Sequence, residues 1–127
     1  MSLSQNPKKP AVEIPEGAPP AKLVIEDLVV GQGAEAVPGK TVVVHYVGMS
    51  WSTRKEFDAS WERRQTFEFP LGGGRVIRGW DEGVKGMKVG GRRRLVIPPE
   101  LGYGARGVGP IKPNETLVFV VDLIDIR

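Results

Sequence analysis

The sequence predicts an α+β domain: an antiparallel, or mostly antiparallel, sheet with one helix on one face. Several stretches alternate in polarity or are rich in β-branched residues, as strands are. One stretch, from Val76 to Val89, spaces Ile77, Trp80, Val84 and Met87 at helical intervals. No strand–helix–strand rhythm recurs, which argues against a parallel sheet.

Taken in order, residues 1–21 contain five prolines and no periodic apolar pattern. They are expected to be a flexible leader, with a docked arm as the alternative. The folded domain is placed at residues 22–127. Leu23 to Val30 reads as a strand, ended by the GQG turn. TVVVHYV, Thr41 to Val47, is a strong strand with Val42, Val44 and Tyr46 on one face and Val43, His45 and Val47 on the other. Ser50 to Glu56 is polar apart from Trp51 and reads as a turn or an irregular edge strand. TFEF puts Phe67 and Phe69 on one side. GRRRLVIPP is a strand that its prolines end, since proline has no backbone donor. TLVFVVDLIDI closes the sheet with Leu117, Phe119, Val121 and Leu123 on one face. The loop from Leu101 to Glu115 is long for a compact domain, and such loops are usually functional.

The helix candidate places Asp81 and Glu82 early and Lys85 and Lys88 late, as the helix dipole prefers. Its glycines, Gly79, Gly83 and Gly86, each cost up to about 1 kcal/mol against alanine. Such a helix is held by packing, and its glycines permit close approach to another backbone. It can present Trp80 as the floor of a pocket. Trp80 as ordinary core is the alternative.

Composition excludes much chemistry. The chain of 127 residues suits one domain, and its formal charge of +3 is too mild to mark a nucleic-acid binder. There is no cysteine, so disulfides and thiolate catalysis are excluded. A single histidine, His45, lies within a strand and reads as a hydrogen-bonded structural residue rather than a base. No metal site and no cofactor is expected. No GxSxG, HExxH or P-loop occurs. Arg92, Arg93 and Arg94 read as a solvated face, with a phosphate contact as the alternative. No transmembrane stretch or signal-type apolar run is present. With Met1 as the natural start, the protein is expected in the cytoplasm.

What remains is a set of aromatics at pattern-facing positions, including Tyr46, Phe57, Phe67, Trp80, Tyr103 and Phe119. An aromatic-lined pocket with few polar groups suits proline or another compact apolar group.

The stretches VVVHYVGM, EFDAS, FEFPLGGGRVIRGWDEGVKGMKVGGRRRLVIPPELGYG and TLVFVVDL resemble the FK506-binding-protein family of peptidyl-prolyl cis-trans isomerases. The likeness runs from about Ala21 to Arg127. It implies a strongly twisted antiparallel sheet wrapped around one short helix, with the ligand on the helix tryptophan. The catalytic residues it implies are Tyr46, Phe57, Asp58, Trp80, Tyr103 and Phe119. It assigns ligand binding to Phe67, Val76, Ile77 and Ile111, with Arg63 in support as the partner of Asp58. The Ile77 amide and the Tyr103 hydroxyl are the implied donors to a ligand. FK506 and rapamycin are the implied macrolide ligands; proline-containing peptides and unfolded proteins are the implied substrates. The sequence departs from the family pattern at Arg75, which stands where an acid is common, and in the loop carrying Val108. A monomer is expected, with no nucleic-acid or membrane partner. Two rival functions stay open: a binding or chaperone module on the same fold, and a basic-surface nucleic-acid protein.

Overall fold

The structure, a computed structural model, describes residues 8–127. Six strands form one antiparallel sheet: Val24–Val29 (β1), Thr41–Ser50 (β2), Glu56–Ala59 (β3), Phe67–Pro70 (β4), Arg92–Ile97 (β5) and Leu117–Ile126 (β6). The spatial order is β1-β5-β6-β2, after which β3 and β4 share the far flank of β2. β4 lies along Thr41–Val44, and β3 along Val47–Met49. β2 and β6 are the long central pair, and their inward faces alternate as their sequences require. Val42, Val44 and Tyr46 meet Leu117, Phe119, Val121 and Leu123 in one core.

The helix Arg78–Val84 (α2) lies on that core. Its glycines have a steric explanation. A Cβ on Gly79 would stand 2.5 Å from Ile97 Cγ2, and one on Gly83 would stand 2.7 Å from Leu95 Cδ2. Both β5 side chains are fully buried and have nowhere to go. The glycines therefore let α2 press onto β5, and Trp80, Val84 and Ile77 fill the space beside them.

The helix is shorter than its apolar spacing suggests. It stops at Val84, because Lys85 turns extended and Gly86 adopts φ +90°. Met87 still reaches the core, but from a segment that pairs with residues 33–36. The Ala36 N–H donates to the Met87 carbonyl at 2.7 Å, and the Val89 N–H to the Ala34 carbonyl at 3.0 Å.

A one-turn helix, Ser60–Arg63 (α1), was not expected. Four residues are too few to show a helical period. It ends at Arg64 in the left-handed region, whose N–H satisfies the Ser60 and Trp61 carbonyls.

The arginine run departs from a solvated face. Arg92 donates to Asp122 at 2.7 Å and Arg94 pairs with Glu26. Arg93 is buried; it bonds Asp27 at 2.8 Å and caps α2 through the carbonyls of Gly83 and Lys85. The opposing acids lie on β1 and β6, distant in sequence.

Residues 8–17 lie against the sheet face opposite α2, as a docked arm would; residues 1–7 of the expected leader fall outside the described residues. Val12 and Ile14 pack on Trp51, Val96 and Val118. The Trp51 indole donates to the Gly17 carbonyl at 3.2 Å, and Arg54 bonds the Ile14 and Pro15 carbonyls.

Candidate active site

A cavity of about 200 Å³ opens between α2 and the concave side of the sheet. Its floor is Trp80, 5% exposed, whose position is set by the close approach of α2 to β5. Around the indole stand Tyr46 at 5.0 Å, Phe119 at 5.2 Å and Phe67 at 5.9 Å between ring centroids, all near edge-to-face. Phe57 continues the wall at right angles to Phe119. Edge-to-face contacts between rings are favourable, so the walls support one another. Gly48 helps seat them: a Cβ there would stand 2.6 Å from the Phe119 ring and 2.7 Å from Phe57.

One rim is polar. The Tyr46 hydroxyl donates to Asp58 Oδ2 at 2.6 Å. Arg63 donates to Asp58 Oδ1 and to the Tyr46 oxygen, each at 2.7 Å. Burial works to raise the Asp58 carboxyl, but the bonds from Tyr46 and Arg63 outweigh it and hold the group below the ordinary carboxylate range. Burial pushes the Tyr46 phenol up, and the bond to the Asp58 carboxylate adds to that. Asp58 is therefore an anion, Arg63 a cation and Tyr46 a neutral donor at neutral pH. Ser60 positions this group from behind, since its Oγ accepts the Tyr46 N–H at 2.7 Å.

The other rim supplies unengaged donors. Neither the Ile77 N–H nor the Tyr103 hydroxyl has a hydrogen-bond partner among the described residues. Tyr103 is 39% exposed, and its phenol is raised by partial burial and then by the Asp58 charge. The Ile77 segment is held by the helix that follows it: Asp81 accepts the N–H groups of Gly72 at 2.9 Å and Gly74 at 3.0 Å. That clasp ties the glycine loop to α2 and so fixes Arg75–Ile77 between them.

The cavity thus gathers Tyr46, Phe57, Asp58, Phe67, Val76, Ile77, Trp80, Tyr103 and Phe119. One expected residue lies elsewhere: Ile111 is buried in the core and does not line the cavity. Arg63 stands behind Asp58 as its partner, in the supporting place expected of it. Arg75 lines the cavity, which the residue pattern did not reveal; its only signal was its place beside Val76 and Ile77. Ser60 and Asp81 were also missed, because each acts through a contact many residues away.

His45 lies on the opposite face. Its Nδ1 is 2.8 Å from Ser60 Oγ, its ring stacks on Trp61 at 4.3 Å, and burial lowers its pKa. That is the structural histidine the strand pattern suggested. Among the described residues, no three His, Cys, Asp or Glu side chains gather as a metal-binding group, and no helix is long and apolar enough to cross a membrane. The cavity presents aromatic walls and hydrogen-bond donors. It has no serine, cysteine or lysine to attack a substrate.

Comparison with known proteins agrees with this geometry. Residues 32–124 match the profile of the family described as FKBP-type peptidyl-prolyl cis-trans isomerase. A "FK506-binding protein" of Streptomyces anulatus is 56% identical over 121 residues, covering 94% of this chain and 98% of that one. Among solved structures, AtFKBP13 aligns with TM-score 0.77 at 41% identity, over 83% of this chain and 93% of that one. FkpA from Escherichia coli aligns with TM-score 0.76 at 48% identity; the match covers 83% of this chain but only 48% of FkpA, so about half of that protein has no counterpart in the alignment. The chain belongs to the FKBP-type peptidyl-prolyl cis-trans isomerase family.

Proposed function

We propose that the cavity seats the prolyl ring of an X-Pro peptide on the Trp80 indole and accelerates rotation about the amide with no covalent intermediate. The observation that carries this reading is the pairing of an aromatic-walled cavity that has no serine, cysteine or lysine with two unengaged donors, the Ile77 N–H and the Tyr103 hydroxyl.

The chemistry needs little else. Rotation breaks amide resonance against a barrier of about 18–20 kcal/mol. The twisted amide is less delocalised, and its carbonyl is less polar, than in the planar ground state. Apolar walls therefore penalise the ground state relative to the transition state. The rings hold the prolyl side still while the carbonyl side turns, and the donors at the rim meet the carbonyl in its new position. Each tenfold gain needs about 1.4 kcal/mol, so desolvation and two donors suffice for several decades.

On this reading residues 22–127 form the catalytic domain. Its substrates are proline-containing peptides and unfolded proteins, and macrolides of the FK506 and rapamycin type compete for the cavity. The protein acts as a cytoplasmic monomer. The name of the Streptomyces relative supports the FK506 part.

The test is an exchange or protease-coupled assay on short X-Pro peptides, with and without FK506. Acceleration that FK506 blocks supports the isomerase. Binding of FK506 or peptide with no acceleration would leave only a binding module.

A further inference from the structure

Two residues lining the cavity carry charge, and they differ in one respect. Asp58 is matched by Arg63 at 2.7 Å, so that rim is a closed ion pair. Arg75 is exposed and has no hydrogen bond or ion pair among the described residues. Arg63, Arg78, Arg92, Arg93, Arg94 and Arg127, by contrast, each pair with a carboxylate. The mouth therefore carries one uncompensated positive charge. The Asp81 clasp holds the neighbouring Gly72 and Gly74 backbone, so the main chain that carries Arg75, two residues before Ile77, is tied down.

We infer that Arg75 is a specificity-determining residue that selects prolyl peptides with a carboxylate side chain next to the proline. The inference rests on the proposed isomerase reading. A cavity of about 200 Å³ takes the prolyl ring and leaves the flanking side chains at the mouth, where Arg75 stands. A flanking acid gains an ion pair there, whereas a flanking lysine meets a like charge. The pair is open to solvent, so the preference is modest and falls with salt.

The experiment compares kcat/KM for Glu-Pro and Gln-Pro peptides, and for Pro-Glu and Pro-Gln peptides, in the unaltered protein and in Arg75→Gln and Arg75→Glu. The unaltered protein is expected to favour glutamate over glutamine by about two- to fivefold at one of the two positions. Which series shows it tells whether the acid precedes or follows the proline. The ratio should shrink between about 0.02 M and about 0.5 M salt. Arg75→Gln should bring it to about one, and Arg75→Glu should turn it in favour of glutamine. A ratio of one in both series, or one that Arg75→Glu does not reverse, overturns the inference while leaving the isomerase standing. Absence of turnover on every peptide overturns the isomerase reading itself, and this inference with it.

Discussion

The Tyr46 hydroxyl lies 2.6 Å from Asp58 Oδ2, a bond that joins strands β2 and β3 across the edge of the cavity. Arg63 closes the triangle from α1. The Tyr46 bond holds one wall of the site in place, and Arg63 supplies the charge that balances the carboxylate.

Asp58 should titrate below its ordinary range. A carboxyl whose folded pKa is depressed adds stability above its unfolded pKa, about 3.9, and loses it as pH falls through the folded value. Asp58 and Arg63 are both substantially solvent-exposed, so screening keeps the effect under about 1 kcal/mol. Urea midpoints measured against pH should show a small acid-side loss that Asp58→Asn removes. An Asp58 carboxyl titrating at or above about 4 by NMR would contradict the role given to Arg63.

Tyr103→Phe keeps the ring and removes the donor. A neutral hydrogen bond is worth about 0.5–1.5 kcal/mol net, so kcat/KM on an X-Pro peptide should fall by up to about tenfold, with stability unchanged. Unchanged turnover would deny the hydroxyl a role. Trp80→Ala should abolish FK506 binding and cost about 3–5 kcal/mol, since it hollows the core as well as the floor.

Gly79→Ala pits two effects against each other. Helix propensity favours alanine by about 1 kcal/mol. The new Cβ would stand 2.5 Å from the fully buried Ile97, and overpacking a tight core costs about 1–3 kcal/mol. The clash should win, giving a net loss in the chemical denaturation midpoint and a shifted Trp80 fluorescence. A stabilised variant would mean that α2 is free to move off β5.

Asp122 is 1% exposed, with one carboxylate oxygen bonded to Arg92 and the other without a partner. Burial raises its pKa despite the attraction of Arg92. An acid raised in the folded state adds stability below its unfolded pKa and loses it as pH climbs through the folded value. Burial and the attraction of Arg92 thus oppose each other at this carboxyl, and burial prevails. Asp122→Ala leaves Arg92 uncompensated and should destabilise by about 3–5 kcal/mol in urea titration. The double variant Arg92→Met, Asp122→Leu should recover much of that loss.

Deleting residues 1–18 should uncover Trp51 and cost about 1–3 kcal/mol, from the part-burial of Val12 and Ile14. A red-shifted emission that Trp51→Phe abolishes would report the lost contact. No change in stability or emission would mean that the leader is loose in solution.

Much of the architecture was legible in the residues. The alternation of Val42, Val44 and Tyr46, and of Leu117 through Leu123, marks the core face of β2 and β6. The helical spacing of Ile77, Trp80 and Val84 does the same for α2, and its glycines announce a close approach to the sheet, which the fold places at β5. β3 and α1 were less visible, because four residues carry too little of either period. Most of the pocket was readable through family resemblance, yet Ile111 falls in the core and Arg75 at the mouth.

By itself, the sequence determined which side chains turn inward, because strand and helix periods are local and set by backbone geometry. It determined the absence of a thiol, and it confined histidine chemistry to one residue. Only the tertiary structure decided who meets whom. Asp27 and Arg93 are 66 residues apart, Glu26 and Arg94 are 68, and Arg92 and Asp122 are 30; these pairings give each arginine of the run a partner distant in sequence. Tyr103, Tyr46 and Trp80 likewise come from three separate parts of the chain to surround one cavity. A period reports the face a residue presents; its partner across the core depends on how the whole sheet closes.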